Sequence, residues 1–308
     1  MIDYPNLLEA DVQKLMKTIA NYHVIDPKNI GDFLSSPLHY FDFPGYEVSK
    51  IDLRTLNEAE AKDDSQCLLT HHAIVGGGGL MFERFLNHFQ RLQARKNGHR
   101  LVLWGAGHQI YKLDGSVEFD YTPYLEQFDD VGIRDFDSGY DWVPCVSCMH
   151  EAFDRQYSIE HEFVVFSHKK FQIAIDKFPR KTNESENFEE IIRFLASGET
   201  ILTSSFHGAY WGTLLGRKVL AFPFTSKFFT LKHPVALYPV EKWQQPKREI
   251  KLFGKTLYQH FDETKFLCST EGWRSHLDRC QSYPNSLQEC RDRNRWFYNK
   301  IMNNLDHL

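Results

Sequence analysis

A chain of 308 residues is long enough for two ordinary cores. Its 42% hydrophobic and 25% charged residues are the balance of a soluble globular protein. The net charge of −5 argues against a general nucleic-acid binder, whose affinity would rest on clustered Lys and Arg, while leaving room for a local cationic pocket.

No segment approaches the roughly 20 apolar residues that span a bilayer, so no transmembrane segment is expected. The opening residues are acidic and interrupted, unlike a signal peptide, and a cytoplasmic location is expected. The 6 cysteines do not make a disulfide scaffold at this length, so reduced thiols are the default. The many aromatics, 25 Phe and 14 Tyr, are mostly core, although aromatics also line sugar sites.

Residues 6–20 read as an amphipathic helix, with Leu7, Leu8, Val12, Leu15, Met16 and Ile19 at helical spacing. A short strand, His23 to Asp26, follows and closes on Asn29-Ile30-Gly31-Asp32. Residues 67–75 form another strand that runs into Gly76, Gly77, Gly78 and Gly79, then a helix from Leu80 to Ala94. The strand Leu101 to Trp104 leads to Gly105-Ala106-Gly107-His108, and short strands are expected near 131–133 and 143–146.

The second half opens with a strand, Phe163 to Phe166, then a polar loop over 179–187 and a helix over 188–196. Residues 200–224 form one strand–helix–strand unit: Ile201-Leu202, a polar turn from Thr203 to Gly208, a helix from about Ala209 to Leu215, and a strand from Val219 to Phe222. Residues 225–246 lose periodicity, and the tail from Leu287 to Leu305 returns to helix. Strands alternating with helices in both halves predict an α/β protein with parallel sheets flanked by helices, as two Rossmann-like lobes facing a cleft. The lobes are placed at 1–155 and 156–285, with a C-terminal helix over 286–308 that packs back on the first.

Polar residues gather where strands meet helices, at the carboxyl ends where ligands bind in open parallel sheets. Free N–H groups at the helix start after Ser204 and Ser205 favour an anion, so His207 meets a phosphate or carboxylate; alternatively the hydroxyls cap the helix and His207 bonds within its turn. Asp32 is placed to accept from a sugar hydroxyl, or else to cap a turn. The four-glycine run exceeds what a tight turn needs and allows close backbone approach of a ligand, yet it matches neither the dinucleotide fingerprint nor a phosphate loop. Gly105 and Gly107 suit either a ligand or close helix packing. Arg134 either holds an anion or pairs with its neighbour Asp135.

Lys227, Lys232 and His233 would add positive charge on the side of His207, or form a solvated loop. Cys145, Cys148 and His150 offer at most three zinc ligands with no second pair at zinc-finger spacing, so buried small residues are preferred and no metal is assigned. The histidines show no zincin spacing, and Gly-x-Ser-x-Gly is absent.

Together these segments resemble the polysaccharide pyruvyl transferase family. The resemblance runs in order over about 200 residues: Asn29-x-Gly31-Asp32, Gly76 to Gly79 with Leu80, Trp104-Gly105-Ala106-Gly107, Ile133-Arg134-Asp135 and Ser204-x-x-His207-Gly208. It implies a GT-B-like fold and transfer of the pyruvyl group of phosphoenolpyruvate to sugar hydroxyls, usually as a cyclic ketal. The implied partners are phosphoenolpyruvate and a saccharide acceptor, free or lipid-linked, with no further cofactor and no metal. It places His207 at the donor site. The chemistry then expects His207, as an imidazolium, to contact the phosphate or to serve as proton donor, and Asp32, facing from the first lobe, to take a proton from the acceptor hydroxyl.

Ser205 stands where members often carry an Arg that binds the donor anion. Charge must then come from Lys227, Lys232, Arg134 or Arg217. That departure keeps a second reading open, a GT-B glycosyltransferase using a nucleotide sugar. A third is a carbohydrate-binding relative without catalysis.

Overall fold

The computed structural model describes residues 17–55, 69–116, 118–252, 255–261 and 264–306. They form an α/β structure with two parallel sheets flanked by helices. The first sheet is built from β1 (Lys17–His23), β2 (Tyr46–Asp52), β3 (His72–Val75), β4 (Gly78–Met81), β5 (Leu101–His108), β6 (Asp130–Ile133) and β7 (Asp141–Trp142). Its order is β2-β1-β3-β5-β6-β7, every pairing is parallel, and β4 pairs with the end of β5.

The second sheet contains β8 (His161–Ser167), β10 (Arg180–Thr182), β11 (Gly198–Thr203), β12 (Lys218–Ala221) and β13 (Ala236–Leu237), in the order β10-β8-β11-β12-β13 and again parallel. Between β8 and β10 lies β9 (Phe171–Ile173), which pairs with β16 (Phe266–Cys268). An antiparallel hairpin, β14 (Lys247–Leu252) and β15 (Lys255–Phe261), stands apart from both sheets.

Period-2 alternation lets each central strand serve two cores. Ala73, Val75, Leu101 and Leu103 face one side, where Phe85, Leu86, Phe89 and Leu92 of helix α2 (Glu83–Ala94) cover them. Ile74, Val102 and Trp104 face the other side, which Phe297, Ile301 and Leu305 of α6 (Ser286–Asp306) cover. In the second sheet, Val164, Ile201 and Val219 pack against α4 (Phe188–Ala196) and α5 (Phe206–Leu214). Short helices α1 (Ile30–Phe33) and α3 (Thr122–Leu125) follow β1 and β5 respectively.

Several predicted boundaries move, and the strand expected near 143–146 lies instead at Asp141–Trp142, with Val146–Met149 forming a single 3-10 turn. Lys17 to His23 is a strand, so the expected helix does not extend past residue 16, and its remainder lies outside the described residues. The strand predicted at His23 to Asp26 therefore ends where it was expected to start. A centrally placed strand buried on both faces shows no alternation, which is why β1 resembles the end of a helix. Gly78 and Gly79 belong to β4 rather than to a free loop, and α2 begins at Glu83 instead of Leu80. Among the described residues, no helix is long and apolar enough to cross a membrane.

Candidate functional site

Chain order reverses in the first sheet between β1 and β3, and in the second between β8 and β11. Crevices outside the carboxyl ends of such strand pairs are where open parallel sheets bind ligands. The chain leaving these strands carries Asn29 to Asp32, Gly76 and Gly77, His168, and Ser204 to His207.

Segments from the two sheets meet there. A Cβ added at Gly31 would lie 2.1 Å from Nδ1 of His207, so the α1 backbone lies directly against that imidazole. Asn183 Nδ2 donates to Asn29 Oδ1 at 3.4 Å, Lys169 pairs with Asp26 at 3.8 Å, and the Ile110 N–H donates to Ser226 Oγ at 3.1 Å.

Arg134 follows β6 and is 5% exposed. Its guanidinium lies over the Phe206 ring, Cζ 4.2 Å from the centroid, and its sealed Nε and Nη2 make no hydrogen bond. Gly107 makes room for it, since a Cβ there would lie 2.4 Å from Arg134 Nε.

The expected Arg134–Asp135 ion pair does not form. Asp135 instead accepts from the backbone N–H of His108 at 2.7 Å, lies 3.0 Å from His108 Nδ1, and accepts from the Thr230 hydroxyl. Burial pushes its carboxyl up, but the hydrogen bond and charge of His108, with Arg134 and Thr230, hold it below its usual value.

Lys227, half-buried, also has no carboxylate at ion-pair distance among the described residues; its Nζ stands 5.6 Å from the Phe206 centroid and 5.7 Å from that of Phe224. Burial, then repulsion from Arg134, lowers its pKa from 10.5 to about 8, with Asp32 and Asp135 opposing. Asp32 is half-buried; the surrounding protein raises its pKa against the pull of Lys227 and Arg134, and Asn29 Nδ2 donates to its Oδ2 at 2.6 Å.

His207 is 8% exposed and stacks on Trp211 with centroids 5.0 Å apart. Burial, then Arg134 and Lys227, push its pKa well below 6.5, so the ring is neutral in the unliganded protein and the expected imidazolium is corrected. Its Nε2 lies 3.7 Å from Cys145 Sγ. His168 is likewise held neutral, to about 3, by burial and by Lys227, Lys169 and Lys170.

The other expected residues divide sharply. Ser205 caps α5, accepting from the Gly208 N–H at 3.3 Å, and Ser204 accepts from the His168 N–H at 3.0 Å while donating to the Phe171 carbonyl. Both hydroxyls are thus committed to local structure. Gly208 permits close helix–strand packing, a Cβ there falling 2.4 Å from Thr203 Oγ1.

Lys232 is ion-paired to Glu289, which also takes His233, and it covers Trp142 with Nζ 4.6 Å from the centroid. Arg217 binds the Ala196 and Tyr157 carbonyls. Neither supplies the free charge expected of it.

Gly76 packs on the Trp104 carbonyl and Gly105 lies in the β5 bulge. Gly77, Gly78 and Gly79, with Asp32, Gln109 and Tyr111, line a cavity of about 210 Å³ that also reaches Arg54 and Arg84. A wider depression of about 750 Å³ beside Tyr238 to Pro246 is lined by none of these groups. Cys145 and Cys148 are buried, and among the described residues no group of three or more His, Cys, Asp or Glu side chains is arranged to hold a metal.

Three residues carry roles that sequence patterns did not expose: Cys145 beside His207, His168 beside Lys227, and Asn183 bridging to Asn29. Only the tertiary structure brings these residues together, so no local signal could have found them.

Comparison with protein-family models and with curated proteins gives no match. Among solved structures, the chain is similar to a functionally uncharacterized protein from Klebsiella pneumoniae subsp. pneumoniae NTUH-K2044. The two share 13% identity over 68% of this chain and 84% of that one, with a TM-score of 0.40, which carries no argument about activity.

Proposed function

We propose that the protein is a pyruvyl transferase of GT-B-like architecture that moves the pyruvyl group of phosphoenolpyruvate to sugar hydroxyls. The observation that carries this reading is the pair Arg134 and Lys227. These are two neighbouring cations beside the start of α5, one of them sealed from solvent, and neither has a carboxylate at ion-pair distance among the described residues. Unpaired interior charge is costly, and an anionic ligand offsets that cost. The first-turn N–H groups of Phe206 and His207 have no intrahelical acceptor and add further donors.

Phosphoenolpyruvate presents a carboxylate and a phosphate, which suits a donor-rich site with little competing water. One sugar hydroxyl oxygen bonds to the central carbon as the methylene carbon gains a proton, and a second closes the ketal as the C–O bond to phosphate breaks. Of the two hydroxyl protons released, one balances that gained by the methylene carbon and the other leaves on inorganic phosphate. Asp32, lining the 210 Å³ cavity, takes the proton of the attacking hydroxyl, a role its raised pKa suits. The cavity receives the acceptor sugar against the glycine backbone.

The test is mass spectrometry of the protein incubated with phosphoenolpyruvate and a panel of saccharides. One added pyruvate ketal with release of inorganic phosphate supports the reading. Consumption of a nucleotide sugar in the parallel incubation, with none of phosphoenolpyruvate, replaces it with glycosyl transfer.

A linked proton is also expected. Because the folded pKa of Lys227 lies below its unfolded value, stability of the free protein rises with pH from about 8 to 10.5. A bound anion favours the ammonium, so binding near pH 8 takes up a proton and weakens at higher pH. Calorimetry in two buffers of different ionisation enthalpy measures the uptake, and Lys227→Met should abolish it.

A further inference from the structure

The imidazole of His207 stands at the end of a run of polar contacts through the core. Trp211 Nε1 donates to Ser147 Oγ at 3.0 Å, Ser147 Oγ lies 3.2 Å from Cys145 Sγ, and Cys145 Sγ lies 3.7 Å from His207 Nε2. All four side chains are buried.

An indole N–H only donates, so the polarity of the run is fixed at its far end. Ser147 Oγ accepts from Trp211 and has one proton to place. If His207 Nε2–H donated to sulfur and the thiol donated to Ser147, the serine proton would be left inside the protein without an acceptor, at a cost of about 1–3 kcal/mol. Were Ser147 O–H and His207 Nε2–H both to donate to sulfur, the buried thiol proton would have no acceptor among these groups. The arrangement that satisfies every group has Trp211 donating to Ser147, Ser147 to Cys145, and the Cys145 S–H to a bare His207 Nε2. Burial raises the Cys145 pKa, against the pull of its Ser147 hydrogen bond, which keeps the proton on sulfur.

We propose that the Trp211–Ser147–Cys145 chain fixes His207 as its Nδ1–H tautomer, making Cys145 a positioning residue and Nδ1–H a hydrogen-bond donor to the bound anion. Among the described residues Nδ1 has no hydrogen-bond partner, and it is not one of the sealed, unpartnered atoms. The ring packs edge-on against the Gly31 backbone, where a Cβ would lie 2.1 Å from Nδ1, so the absence of a side chain at Gly31 is what lets the imidazole take this position. Neutral His207 then joins Arg134, Lys227 and the α5 N–H groups as a donor, so the site selects a fully ionised oxyanion over a neutral analogue. The use of Nδ1–H on the anion rests on the proposed donor site; the tautomer does not.

The test is a two-bond ¹⁵N–¹H correlation spectrum of the full chain labelled at histidine, with the His207 signals assigned from His207→Gln. The expected spectrum shows the proton on Nδ1 and a bare Nε2. Cys145→Ser, whose hydroxyl also donates, should keep that pattern. Ser147→Ala, which removes the donor to sulfur, and Cys145→Ala should both shift it toward a mixture of tautomers. The two alanine variants should lower phosphoenolpyruvate affinity by about tenfold, as for loss of one charge-assisted hydrogen bond. Should Cys145→Ala not fold, Ser147→Ala gives the same reading. A proton found on Nε2 in the unaltered protein, or an Nδ1–H signal indifferent to both alanine variants, overturns the assignment. If phosphoenolpyruvate does not bind but the tautomer pattern holds, the proposed function fails and the chain stands.

Discussion

Replacing Arg134 by Met should leave the protein about as stable as before and lower its affinity for phosphoenolpyruvate by about 100-fold, near 2.7 kcal/mol. The two halves of this result come from one cause. The guanidinium makes no ion pair at contact distance with a carboxylate among the described residues. Although its charge helps keep the buried Asp135 ionised, His108 and Thr230 still hydrogen-bond that carboxylate once the guanidinium is removed. The long apolar Met still covers Phe206, against which Arg134 now packs at 4.2 Å. Lost cation–π attraction and relieved repulsion with Lys227 act in opposite directions, and the net change should stay within about 1 kcal/mol. Urea denaturation measures the first half and calorimetric titration the second. A variant that loses several kcal/mol of stability would make Arg134 structural, and one that binds phosphoenolpyruvate undiminished would remove it from the donor site.

Gly31→Ala is the converse case, a small change on one loop that acts on a group from the other sheet. The new Cβ would fall 2.1 Å from Nδ1 and 2.6 Å from Cε1 and Cγ of His207. The ring has little room to retreat, because Trp211 stacks on it and Cys145 stands at Nε2. Overpacking of this kind costs about 1–3 kcal/mol. The larger effect should be on turnover: displacement by about 1 Å of a group that positions the donor lowers rates by about 100-fold. Phosphate release from phosphoenolpyruvate, compared with melting temperature, separates the two. Full turnover in Gly31→Ala would place the chemistry away from His207.

Much of the architecture is legible in the sequence because strand and helix periods alternate along the chain. The helix over 188–196 matches its predicted bounds, and the unit containing α5 is recognisable from apolar runs either side of a polar turn. Polar strand ends are legible for the same reason, since a side chain that cannot enter a core must go to a sheet end. What is not legible is partnership. Adjacency suggests that Asp135 neutralises Arg134, yet the carboxylate is claimed by His108, 27 positions earlier, and Thr230, 95 positions later. Lys227 and Lys232 look equivalent in sequence, but among the described residues only Lys232 meets an acid at ion-pair distance, Glu289 on α6. The protonation of His207 depends on burial and on two distant cations, none of which its own segment encodes.

The C-terminal helix has a consequence for how the molecule comes apart. Cys290 near its start belongs to the core beneath α5, while Phe297, Ile301 and Leu305 are sealed against the first sheet. Midway, Asn294 accepts from the Trp104 indole at 3.0 Å and donates to the Pro144 carbonyl at 3.2 Å. One rigid rod is thus riveted to both hydrophobic interiors. Melting either sheet strips the rod's apolar face for the other, so the chain should denature as a single cooperative unit.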